Sequence, residues 1–116
     1  MSDRDYSIFL KDVLSSISKV ERYTVKKTFA EFKKDELLVD GVIRNLEIIG
    51  EAAKNIPEKI RKIHPQVEWR KISGLRDILV HEYFGIDYGL LWEIIKNKLP
   101  ALKKEIEKIR KDSAGS

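Results

Sequence analysis

Cysteine is absent from the chain, so disulfides and thiolate metal sites are excluded. Proline and glycine are scarce, at three and six residues. The prolines are also spread out, as expected of a helical rather than a turn-rich chain. No apolar run approaches the roughly 20 residues a membrane span needs. The opening residues Met1-Ser2-Asp3-Arg4-Asp5 lack the basic-then-oily layout of a signal peptide, and a cytoplasmic location is the expectation. A dominant charge of one sign is missing too. The net charge of +4 and sequence pI near 9.2 permit binding to a polyanion without demanding it.

What is present is enough to build a core. The 116 residues are 42% hydrophobic, which suits one compact domain and argues against disorder. Residues 1–116 therefore read as a single helical domain, with 112–116 expected to be a frayed tail. The 36% of charged residues suits helices with solvated outer faces.

Hydrophobic spacing predicts an up-and-down bundle of about four main helices. Over 4–23, Tyr6, Leu10, Val13, Ile17 and Val20 recur at steps of three or four, one face of a helix. Thr28-Phe29-Ala30-Glu31 fits a reciprocal cap that opens a short helical turn. Asp35 is a candidate N-cap for a helix over 36–55, with Val39, Val42, Leu46, Ile49, Ala53 and Ile56 as its buried stripe. Arg44, Glu47, Glu51 and Asn55 form a polar ridge on another side of that helix, read as a solvated face. Gly50 sits mid-helix, where it costs about 1 kcal/mol relative to Ala, and close approach by a neighbouring backbone is the expected compensation. Pro57 suits the first turn of a short helix over 57–64. His64 precedes Pro65 and is pushed out of helical geometry, as a surface or boundary residue. A third long helix is expected over 67–83, with Trp69, Ile72, Leu75 and Leu79 inward and Gly85 as its stop. Asp87 can cap a last helix over 88–111, kinked at Pro100. No strand with convincing alternation is found.

Chemistry concentrates in Arg76-Asp77-Ile78-Leu79-Val80-His81-Glu82-Tyr83. On the expected helix, Asp77 and His81 share a face, so the carboxylate can fix the imidazole tautomer. Arg76 is offset from His81 by roughly 140° and about 7.5 Å, a gap its long side chain can close. Tyr83 points away in an ideal helix and nears the site only where the helix ends. Such groups suit RNA cleavage. A histidine moves protons at neutral pH, and an arginine pairs with two phosphoryl oxygens. The RNA 2′-hydroxyl supplies the nucleophile, so no metal or cofactor is required. Two proton-transfer steps are best served by two histidines, which a symmetric dimer would bring into one cleft. Lys59, Arg61, Lys62, Arg70 and Lys71 could steer RNA towards it. Spacing alone leaves the ordinary alternative open, a packed and satisfied histidine.

At these residues the chain resembles the HepT-like HEPN-domain toxin ribonucleases. Arg76, His81 and Tyr83 match their Arg-x4-His-x-Tyr motif. Ile49-Gly50-Glu51-Ala52, Trp69, Ile72, Gly74-Leu75-Arg76-Asp77, Tyr83-Phe84-Gly85-Ile86-Asp87, Trp92, Leu99 and Pro100 extend the likeness over about residues 5–109. The resemblance implies an all-α, homodimeric, metal-independent endoribonuclease. It would be the toxin of a prokaryotic HEPN/MNT (type VII) toxin–antitoxin system. Arg76 and His81 would be catalytic; the position after the arginine is often Asn or Asp in that family and is Asp77 here, whose orienting role rests on the shared helix face. Tyr83 would be AMPylated by a cognate MntA-like nucleotidyltransferase antitoxin, placing bulk and negative charge at the mouth of the RNA cleft. The alternatives are a non-catalytic nucleotide- or substrate-binding partner of a nucleotidyltransferase, and a purely structural helical dimer.

Overall fold

Helix α1 (Ser7–Thr24) forms along the predicted stripe, and Leu10, Val13, Ile17 and Val20 are all buried. This computed structural model describes the backbone of residues 6–81 and 85–115, and the side chains of 6–80 and 85–112. Helix α2 (Phe29–Lys34) opens on the expected reciprocal cap. The Glu31 N–H donates to Thr28 Oγ1 at 3.1 Å, and the Thr28 N–H donates to Glu31 Oε1 at 2.9 Å. Six residues make a marginal helix, and the buried Phe32 ring anchors it against Trp92, 5.1 Å between centroids.

Helix α3 (Glu36–Lys54) is the axis of the bundle, packed against α1 and the site-bearing helices. Asp35 caps it, its Oδ1 accepting from the Leu38 N–H at 3.0 Å. The whole predicted stripe, Val39 to Ile56, is buried. Gly50 has the role its position suggested. A Cβ there would lie 3.1 Å from the carbonyl oxygens of both Ile72 and Ser73, so the bare backbone lets another helix pass. Helix α4 (Glu58–Ile63) follows Pro57. His64 ends it at φ −120°, ψ 63°, half-buried, and its carbonyl accepts the Trp69 indole N–H at 3.0 Å.

The structure corrects the expected helix over 67–83. The segment divides into α5 (Trp69–Ser73) and α6 (Leu75–Leu79), separated at Gly74. Trp69, Leu75 and Leu79 are still buried. Apolar spacing cannot distinguish one long helix from two short ones in register, which is why the break was not foreseen. After Leu79 the chain extends. Val80 adopts φ −111°, ψ 113°, as suits a β-branched residue. Strand β1 (Val80–His81) pairs antiparallel with β2 (Gly85–Ile86), Val80 opposite Ile86 and His81 opposite Gly85. Gly85 therefore belongs to this ladder, not to a helix end, and its φ of +79° is one that L side chains rarely adopt. The Asp87 N–H donates to the Leu79 carbonyl at 2.9 Å and closes the connection.

Asp87 then caps α7 (Tyr88–Glu93), accepting from the Leu90 N–H at 3.1 Å. Ahead of Pro100 the helix widens into a π turn (Ile94–Lys98), in which the Leu99 N–H donates five residues back to Ile94. The proline ring cannot donate and would press on a preceding carbonyl, so the wide turn stands in place of the anticipated simple kink. Helix α8 (Leu99–Gly115) runs on through most of the tail expected to fray. Among the described residues the up-and-down bundle has four limbs: α1, α3, α5–α6 and α7–α8. The fold is all-α apart from the two-residue ladder, and no described helix is long and apolar enough to cross a membrane.

Filling the α3–α5 contact should cost stability. Gly50→Val is expected to lower the unfolding free energy by about 1–3 kcal/mol, read as a lower urea midpoint at unchanged slope. An unchanged midpoint would mean that the two backbones are not in contact.

Candidate active site

The α3–α5 contact sets the register of everything beyond it. Glu47 lies one turn before Gly50 on α3, and Arg76 lies just beyond Ser73 on α6. With the two segments antiparallel, these side chains meet. Arg76 Nε donates to Glu47 Oε1 at 3.3 Å. The other carboxylate oxygen of Glu47 lies 3.9 Å from Arg44 Nη1. The Arg76 side chain keeps 53% of its surface exposed. It is thus held without being sealed in, and its terminal nitrogens can reach an anion. Burial in an internal ion pair would have favoured a purely structural role.

Asp77 is exposed on α6 and has no hydrogen-bond or ion-pair partner among the described side chains. The helical-face argument linking it to His81 does not hold, because α6 ends at Leu79 and His81 sits in β1. His81 is described only in its backbone, and Tyr83 lies outside the described residues. Of the four predicted site residues, the structure places Arg76 and Asp77 side by side on the exposed part of α6. It puts the His81 backbone two residues past the end of that helix.

The link from Arg76 to Glu47 and Arg44 was missed in the sequence. The polar ridge on α3 was visible there, but nothing in a one-dimensional pattern says which distant side chain it faces. Glu51, the acidic residue of the Ile49–Ala52 segment, pairs locally with Lys54 at 3.4 Å and does not touch Arg76.

The proposed RNA-steering cations are partly engaged. Lys62 pairs with Glu58 at 3.5 Å, Lys71 with Glu68 at 2.7 Å, and Arg61 Nε donates to the Ile56 carbonyl at 3.1 Å. The Lys71 hydrogen bond and charge hold the Glu68 carboxyl below the ordinary glutamate range, and the same bond raises Lys71. An apolar cleft of about 320 Å³ opens beside this pair, with Ile72, Leu75, Ile78, Leu90, Ile94 and Leu99 in its walls. Neither Arg76 nor Asp77 lines it, so the cleft and the charged site occupy different faces of α6.

This is a helical-bundle protein with an anchored, solvent-facing arginine one turn before a histidine-bearing strand. A family model described as ribonuclease HepT-like matches residues 13–109, and the chain belongs to that family. It is 46% identical over 115 residues to "Putative RNase MJ0127" of Methanocaldococcus jannaschii, covering 99% of this chain and 95% of the relative. It is 42% identical to "Probable ribonuclease HepT" of Thermococcus cleftensis, covering 93% and 98% respectively. No solved structure gives a significant match.

The Glu68–Lys71 pair makes a prediction about charge. A group with a lowered pKa contributes above its ordinary value and loses the contribution as pH falls through the lowered one. A raised lysine loses its contribution as pH rises through the raised value. At neutral pH the pair is therefore intact, and being exposed it adds little stability. In a carboxyl NMR titration, Glu68 should titrate below an ordinary glutamate, and Lys71→Ala should move it upward. An unmoved midpoint would free Lys71 to act as an RNA-steering cation.

Proposed function

We propose that this chain is the toxin of a prokaryotic HEPN/MNT toxin–antitoxin pair and a metal-independent endoribonuclease. The observation that carries the reading is Arg76, tethered through Nε and still half exposed. Membership of a ribonuclease family supports it. In this mechanism the RNA 2′-hydroxyl attacks the adjacent phosphorus, and the bond to the 5′-oxygen of the next nucleotide breaks. Arg76 neutralises charge gathering on the phosphoryl oxygens. His81 takes or supplies the proton.

Two copies would share one cleft, giving a base from one subunit and an acid from the other. The outward side of α6 suits that arrangement, since Arg76 and Asp77 are both exposed there. Tyr83 would be AMPylated by a cognate nucleotidyltransferase antitoxin, and the added negative charge would repel RNA phosphates.

Purified parent should cut single-stranded RNA in excess chelator, while His81→Ala and Arg76→Ala should lose at least about a hundredfold in rate and still elute as dimers. Cleavage by His81→Ala at the parental rate would remove the site. Nucleotide binding by calorimetry with no loss of RNA would favour the non-catalytic partner role. Incubation with the nucleotidyltransferase and ATP should add AMP to the Tyr83 peptide by mass spectrometry and stop cleavage. Tyr83→Phe should escape both effects, and modification at another residue would refute the assignment of Tyr83.

A further inference from the structure

We infer that Arg44, Glu47 and Arg76 form one cradle for the RNA backbone, an inference that rests on the ribonuclease reading above. Arg44 is its second phosphate contact, and Glu47 is a positioning residue acting through Arg76.

The geometry carries this. One carboxylate uses its two oxygens on two guanidiniums, at 3.3 Å to Arg76 and 3.9 Å to Arg44. The three groups leave one net positive charge, and the Arg44 side chain is 70% exposed. Arg76 is engaged at Nε, which leaves its terminal nitrogens to meet a phosphate in the two-pronged manner guanidinium favours. Exposed ion pairs contribute little to stability, so folding alone gives no strong reason for a carboxylate between two solvent-facing arginines. A reason appears if the arginine must be aimed. Glu47 stands on a long helix whose register against α5 is set by the bare backbone of Gly50. That rigid support is what a positioned transition-state contact requires. Thirty-two residues separate Arg44 from Arg76 in the chain, yet both reach one carboxylate. Neighbouring phosphates of a single strand could bridge them.

The two roles predict opposite responses. Glu47→Gln removes a negative charge beside the RNA while releasing Arg76. It should leave binding as tight as the parent or tighter, yet lower kcat roughly tenfold to a hundredfold. A merely structural glutamate would lower stability and both kinetic constants together. Arg44→Gln should weaken binding severalfold and reduce the salt dependence of affinity by about one counterion, acting mainly on KM. Arg44→Lys keeps the charge and should restore the slope.

Affinity is read by fluorescence anisotropy on a labelled, mixed-sequence, 2′-O-methylated single strand, which cannot supply the nucleophile. Rates are read on the unmodified strand, and circular dichroism checks the fold of each variant. Unchanged affinity and slope in Arg44→Gln, or an unchanged kcat in Glu47→Gln, overturns the cradle while the parent still cleaves RNA. A parent that neither binds nor cuts either strand overturns the ribonuclease reading itself, and the cradle with it.

Discussion

The passage of α5 over the bare backbone of Gly50 is the constraint on which the site depends. Two carbonyl oxygens would lie 3.1 Å from any Cβ placed there. A larger residue would push α5 away and shift everything that follows it. Because the two segments run antiparallel, the contact at residue 50 sets what happens one turn earlier on α3 and one turn later on α6. Glu47 consequently meets Arg76. The conformational cost of glycine within a helix is offset by this register.

The electrostatics of the site follow from that packing. Arg76 is bonded on one edge and open on the other, a state between a buried ion pair and a free surface cation. A buried pair would spend its charge on desolvation. A free arginine would lose more rotamer entropy on meeting a phosphate. The partial tether limits both losses. On the next face of α6 the surface changes character, from paired charge to the apolar cleft against α7 and α8. A five-residue helix thus presents one buried side, one charged side and one oily side. It can do so only because neighbouring helices hold it in place, since a segment of that length has little helical stability of its own.

Much of this architecture was legible in the chain. The stripes of α1 and α3, the Thr28–Glu31 cap, and the caps at Asp35 and Asp87 rest on interactions within a few residues. Local patterns of that kind are written directly in sequence. The close approach at Gly50 was also anticipated, because an uncompensated mid-helix glycine asks for a neighbour. The readings that failed were those in which one pattern admits two backbones. Trp69, Ile72, Leu75 and Leu79 are spaced for one helix and serve two. His81, four residues after Asp77, seemed to share its face and instead lies in an extended pair with Gly85. Pro100 announced a disturbance in the last helix, but whether it would bend or widen depended on the packing of Ile94, Ile95 and Leu99, all buried.

The sequence by itself determined the helical class, the caps and the core stripes, because each is set by spacing along the chain. Only the tertiary structure decided where α6 stops and which carboxylate holds Arg76. Arg44 reaches the same carboxylate by the ordinary three-residue spacing of one helix, and tertiary packing adds the distant Arg76 to that local pair. Those outcomes depend on two helices crossing at one glycine, and the free energy of such a crossing belongs to residues far apart in the chain.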